Sequence, residues 1–129
     1  MKKSTGLFLL SFVLLVSCKT DTPPMVGGSP RSEEDILISA GFVDDNTYRI
    51  VCRGYPMPEY TGVQAENTAM EAARLNAIYF VKRDFDSSVD PGIYGSVERY
   101  ERMNEHVVVY YIVRKKDLKR FYDPGHGDN

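Results

Sequence analysis

Histidine, cysteine and clustered carboxylates are the side chains that most often carry catalysis or bind metal, and this 129-residue chain has few of them. It holds two histidines, His106 and His126, and two cysteines, Cys18 and Cys52. His126 stands between Asp123 and Asp128 and could join them on a metal. Two carboxylates and one imidazole on a Gly-containing C-terminal stretch define no coordination geometry, so the expectation is a solvated tail and no metal. His106 opens an apolar stretch with no Cys, Ser or acid at a diagnostic spacing. It reads as a strand-edge residue rather than a base. No G-x-S-x-G, H-E-x-x-H, phosphate-loop or CxxC pattern occurs. Gly92-Ile93-Tyr94-Gly95 is better read as a strand start with room for close packing than as a phosphate loop. The residue types point to no enzyme and no cofactor.

Two other groups of residues could form a partner surface. Arg114, Lys115, Lys116, Lys119 and Arg120 make a basic cluster that could meet lipid head groups or an acidic partner. A solvated strand end and helix face would look the same. Nine tyrosines are many for this length, and Tyr94, Tyr100, Tyr110 and Tyr111 fall within one expected hairpin. An outward tyrosine-rich sheet face suits protein or glycan binding, while tyrosines capping a small core with wet hydroxyls account for the same composition. The candidate partner surface is therefore Tyr94, Tyr100, Tyr110, Arg114, Lys115 and Lys116.

The N-terminus carries the most specific signal. Lys2 and Lys3 precede an apolar run from Leu7 to Val16 broken only by Ser11. At about ten residues the run is too short for a transmembrane helix, which needs about 20. It ends Leu15-Val16-Ser17-Cys18, which resembles the lipobox of bacterial lipoproteins. That resemblance implies a signal peptide over residues 1–17, a diacylglycerol on the Cys18 thiol and cleavage before Cys18. The expected anchor is acyl chains in a membrane, not a spanning helix. In such lipoproteins Asp directly after the cysteine tends to retain the protein at the inner membrane. Here Lys19 follows, so the outer membrane is expected. Loss of Lys2 and Lys3 makes the formal net charge, −2 for the whole chain, two units more negative. This mild acidity argues against nucleic acid as a partner. With Cys18 committed to lipid, Cys52 has no partner in the chain and is expected to be a buried, inert thiol.

The elements that must position these residues follow from spacing. Residues 18–31, rich in Pro, Gly, Ser and Thr, read as a lipidated cysteine and tether that reaches about 20 Å. Residues 32–122 read as one α+β domain and 123–129 as a disordered tail. Ser32 before Glu33, Glu34 and Asp35 is an N-cap signal, with Ile36, Leu37 and Ala40 an apolar face and Gly41 a stop. A helix of about two turns is expected there, then a turn at Asp44-Asp45-Asn46. Thr47 to Tyr55 alternates as a strand with Tyr48, Ile50 and Cys52 on one face; Gly54, Pro56 and Pro58 end it. Thr61 and Gln64 have capping-box spacing. Ala65 to Phe85 lacks Gly and Pro and reads as a long helix with Ala65, Ala69, Ala72, Ala73, Ala77 and Phe80 along one side. An alanine stripe lets a helix come close to a sheet. Residues 86–92 read as a loop. Ile93 to Tyr100 and His106 to Arg114 read as strands around a turn at Met103-Asn104-Glu105. The apolar run from Val107 to Val113 suits a central strand covered on both faces or nearly so. A short final turn would let Leu118 and Phe121 pack back. The fold class is α+β: a short N-terminal helix, then β-α-β-β, with the long Ala-rich helix on a small, mainly antiparallel or mixed sheet of three or more strands.

Tyr48 to Gly54, the helix from Glu66 to Ala77 and the hairpin ending in Val107 to Leu118 together resemble small bacterial lipoproteins that share a domain with the amino-terminal domain of flagellar assembly protein T. The resemblance covers roughly residues 45–121. It implies a compact α+β domain in the cell envelope and assigns no catalytic residues. The expected function is a lipid-anchored, non-enzymatic binding or assembly module of unknown partner, with another envelope protein or a glycan the candidates. The alternative is a glycan-binding module, for example for peptidoglycan, that uses exposed tyrosines.

Overall fold

The computed structural model describes residues 31–125. Ser32 starts the fold as its sequence predicts. Its hydroxyl accepts from the Asp35 N–H at 3.3 Å, and the Asp35 carboxylate accepts from the Ser32 N–H at 3.3 Å, a reciprocal capping box. The helix it caps, α1 (Glu33–Ile36), lasts only one turn. The expected second turn to Gly41 does not form. The chain becomes extended at Leu37 and continues as β1 (Leu37–Asp44). The reason lies beyond the segment: Asp44 Oδ1 accepts the Asn46 N–H at 2.8 Å and fixes a tight turn that lays β1 along β2 (Thr47–Gly54). Leu37 then faces Cys52 and Phe42 faces Tyr48.

The long helix α2 spans Gly62–Asp84. Thr61 is its N-cap residue, but its side chain makes no capping bond, so the expected Thr61–Gln64 box is absent. Gly62 sits at φ +61° instead. The Thr68 hydroxyl ties the preceding loop down by accepting from the Met57 N–H at 3.2 Å and donating to the Ala65 carbonyl at 2.8 Å. The alanine stripe does what its spacing implies. Ala69, Ala72, Ala73 and Ala77 are buried against the sheet. Gly54 completes the close approach: a Cβ there would lie 2.2 Å from the Ala69 carbonyl oxygen and 2.2 Å from the Ala73 nitrogen.

Past α2, Asp90 accepts from the Gly92 N–H at 2.8 Å and caps a one-turn helix, α3 (Pro91–Tyr94), where a loop and the start of a strand are expected from sequence. Proline at the first helical position favours this turn. The strands β3 (Gly95–Arg102) and β4 (Val107–Arg114) follow, and a 3₁₀ turn, Leu118–Phe121, buries Leu118 as expected. The sheet order is β1-β2-β4-β3 and every neighbouring pair is antiparallel. Among the described residues the fold is thus α+β with four strands and three helices, and the sheet is antiparallel rather than mixed. The α2 crossover does bring β2 and β3 to the same direction, but β4 lies between them.

Residues on the α2 side form the core: Tyr48, Ile50 and Cys52 of β2, Val109, Tyr111 and Val113 of β4, and Phe80, Val81, Phe85 and Leu118. Burying a large apolar side chain contributes about 1.5–3 kcal/mol, so these few residues dominate stability. On the opposite face Val51, Val108 and Ile112 are buried too, although among the described residues no helix or strand lies over them. Arg49 of β2 and Glu98 of β3 pair at 3.4 Å. These strands flank β4, so their side chains must cross over it, since neighbouring strands are about 4.8 Å apart. The β4 apolar run is therefore covered by helix on one side and by ion-paired side chains on the other.

Candidate functional site

The polar constellation that the fold assembles lies at the C-terminal end of α2. Alternation along β2 turns Tyr48 toward the helix, and Asp84 is the last residue of α2. The Tyr48 hydroxyl donates to Asp84 Oδ2 at 3.0 Å, and Arg83 Nε donates to Asp84 Oδ1 at 2.8 Å. Tyr48 and Asp84 are buried. Arg83 also pairs with Glu33 of α1, and the Asp123 N–H donates to the Asp84 carbonyl at 2.8 Å. Phe42, Tyr48, Phe85 and Tyr122 surround the group edge to face, with centroids 4.9 Å apart for Phe42–Tyr48 and 5.6 Å for Phe85–Tyr122. A cleft of about 580 Å³ opens here, walled by Glu33, Tyr79, Arg83, Asp84, Tyr122 and Pro124.

The electrostatics identify this constellation as a clip. Burial, and then the Asp84 charge beside it, push the Tyr48 hydroxyl far above the ordinary tyrosine range, so it remains a donor. Burial alone would lower Arg83, but its hydrogen bonds to Asp84 and Glu33 outweigh that and raise it. Asp84 has a donor on each oxygen, and among the described residues no serine, cysteine or histidine lines the cleft. What the arrangement does is join α1, β2, α2 and the C-terminal segment at one point.

The sequence-predicted residues do not come together as one surface. Tyr110 points to the outer sheet face, where Arg99 stacks on its ring at 3.7 Å and Glu101 accepts from its hydroxyl at 3.3 Å. Tyr100 packs against the core on the α2 side. Tyr94 is covered by Lys115, whose ammonium lies 4.5 Å from its ring, 4.7 Å from that of Phe121 and 3.3 Å from the Tyr94 hydroxyl. The basic cluster is dispersed too: Lys119 pairs with Asp45 at 2.9 Å and Arg120 with Asp117 at 4.0 Å. Arg114 and Lys116 are exposed and form no ion pair among the described residues.

Cys52 is buried, and its thiol donates to the Ala73 carbonyl at 3.3 Å. Burial pushes the thiol up to about 12, which makes it inert near neutral pH. His106 is partly buried beside Tyr55, at 5.5 Å between rings. Burial, and then the Arg53 charge, lower it from its ordinary value. Among the described residues no group of three or more His, Cys, Asp or Glu could hold a metal. No described helix is long and apolar enough to cross a membrane. Cys18, His126, Asp128 and nearly all of the 18–31 tether lie outside the described residues. Arg31, the exception, stacks its guanidinium 3.5 Å over the Tyr55 ring.

Sequence reasoning places Tyr48 on the buried face but misses Asp84 and Arg83. The only signal for them is a charged pair directly before Phe85, at the end of a helix whose other face is apolar.

Fold and cleft together define an α+β protein with one helix layer on a four-stranded antiparallel sheet, braced by a buried Tyr–Asp–Arg clip. No family model, no curated protein and no solved structure matches this chain.

Proposed function

We propose that this chain is a lipid-anchored cell-envelope lipoprotein whose domain is a non-enzymatic binding or assembly module. The structural observation that carries the reading is the one-sided architecture: α2 covers one sheet face, while the other face and the β1 edge have no described element against them. The buried polar groups support it, because Tyr48, Asp84, Arg83 and Cys52 are engaged in holding the fold. Leu15-Val16-Ser17-Cys18 supports anchoring through Cys18, and Lys19 directly after it supports the outer membrane. The order of strand, Gly54, Ala-rich helix and hairpin supports kinship with the amino-terminal domain of flagellar assembly protein T.

The test is intact mass and membrane fractionation of the cellular protein beside a Cys18→Ala variant. A mass for residues 18–129 plus diacylglycerol, with membrane association lost in the variant, is expected. An unlipidated wild-type protein in the soluble fraction would refute the anchor. Failure of the membrane-bound domain to cross-link to any envelope protein would refute the binding module.

A further inference from the structure

Sheet edges with free backbone groups pair with other strands unless something prevents it. The two edges of this sheet differ. β3 carries Glu98, Arg99, Glu101 and Arg102, and a register shift between Val97 and Arg99 interrupts it. Charge of this kind protects an edge; irregularity does not separate the two, because β1 also has register shifts, between Leu37 and Ser39 and between Phe42 and Asp44. β1 has no charge from Leu37 through Val43, and Ile38 and Val43 are 43% and 55% exposed. Residues 39–42 pair regularly with β2 on one side. Among the described residues their other side has no backbone partner. Nothing lies within 4 Å of where a Gly41 Cβ would be, so the sheet face beside this stretch is open as well.

Charge decides which strand fits. Glu34 lies beyond one end of β1 and Asp44 closes the other, and among the described residues neither is in an ion pair. Glu33 and Asp45 are already taken by Arg83 and Lys119. A second copy paired antiparallel about Ala40 would bring Asp44 and Asp45 toward Glu34 and Asp35 of its mate, and opposed like charges are destabilising. We propose that the β1 edge takes an extended strand of another protein, apolar in its middle and bearing Lys or Arg at both ends. The backbone hydrogen bonds would supply affinity and the acidic ends would set the partner's charge. This inference rests on the reading of the domain as a binding module and names its surface.

The probe is a capped synthetic peptide, Lys-Lys-Val-Thr-Val-Thr-Lys-Lys, titrated into the full-length chain in dodecyl maltoside micelles. The comparison peptide carries Glu in place of each Lys. Amide NMR shifts and slowed hydrogen exchange at residues 38–43 are expected, with the basic peptide at least about tenfold tighter. A double variant, Ile38→Lys with Val43→Lys, should weaken it about tenfold, and Ser96→Lys on β3 should not. Equal melting temperatures of the variants and the parent establish that folding is intact. Equal affinity for both peptides, or shifts on β3 or the outer face, would overturn the proposal. So would concentration-dependent self-association through β1, which would make a second copy the occupant. Absence of binding to either peptide would also overturn it. The module reading itself fails only if the membrane-bound domain cross-links to no envelope protein, so the two failures are separable.

Discussion

Replacing Gly54 by Ala tests the helix–sheet seam directly. The added Cβ would stand 2.2 Å from the Ala69 carbonyl oxygen, 2.2 Å from the Ala73 nitrogen and 2.7 Å from the Ala73 Cα. All three are backbone atoms, so no rotamer change relieves the contact. The seam must open by about 1 Å, and a gap of 0.5–1 Å forfeits about a quarter to a half of each dispersion contact. At about 0.1–0.2 kcal/mol per atom pair, the loosened contacts along the seam together lose on the order of 1–2 kcal/mol. Residual strain brings the cost into the upper part of the range for overpacked cores, about 1–3 kcal/mol. Lower chain entropy in the unfolded alanine variant offsets about 0.4–1 kcal/mol. The expected net loss is about 2 kcal/mol, or about 10–15 °C in Tm for a domain of this size. Urea unfolding of the full-length chain followed by far-UV circular dichroism measures it. Gly41→Ala is the control: its Cβ meets nothing within 4 Å, so stability should hold or rise slightly. Two outcomes refute the reasoning. One is a Gly54→Ala loss below about 0.5 kcal/mol, smaller than overpacking allows. The other is rescue by Ala73→Gly, which would mean that a side chain and not the backbone sets the limit.

The clip gives a graded pair. Tyr48→Phe removes one hydrogen bond and leaves Asp84 on Arg83, an expected loss of about 1–2 kcal/mol, whereas Asp84→Asn also leaves the partly buried Arg83 short of an acceptor and should cost about 2–4 kcal/mol by the same urea assay. Equal losses would show that the carboxylate charge is unimportant. Cys52 gives a pH dependence. Its folded value, about 12, lies above the ordinary 9.0, so its contribution is fully present below pH 9.0, declines as pH rises past it and is gone near pH 12. The expected slope is about 1.4 kcal/mol per pH unit, and Cys52→Ala should flatten it. Labelling by a thiol reagent near pH 8 should proceed only at the unfolding rate; faster labelling would show the thiol to be accessible.

Long elements were legible in the sequence because their cause is local. α2 follows from a run of helix formers without Gly or Pro, and β2 from strict alternation around Tyr48, Ile50 and Cys52. β1 was not legible. Leu37, Ile38, Ser39, Ala40 and Gly41 show no period, and the Ser32 capping box marks where a helix starts without fixing how far it runs. Pairing with β2 decided the matter, and pairing is a tertiary event. α3 had its signal, Asp90 before Pro91, but four residues are too few for periodicity to register. The clip was half visible: burial of Tyr48 follows from alternation, but its partner lies 36 residues away in sequence and can be named only once α2 is laid antiparallel to β2. That Tyr100 and Tyr110 of the candidate surface lie on different sheet faces was not legible for the same reason. Whether Tyr94, Tyr100 and Tyr110 share a side depends on the β3 register shift between Val97 and Arg99, which composition does not encode.

The place of β4 in the sheet has a consequence for timing. β4 is the last strand to be synthesised, yet it sits between β2 and β3 and is hydrogen-bonded to both. Until it emerges, the β1–β2 hairpin and β3 have no strand in common, and the sheet cannot close. A nascent chain ending at residue 102 is therefore held short of its native state, with the most apolar seven residues of the described domain, Val107 to Val113, still to come. For a chain that crosses a membrane unfolded, as the proposed export requires, this order keeps folding until after passage. It also leaves the segment most prone to aggregate exposed for the shortest time.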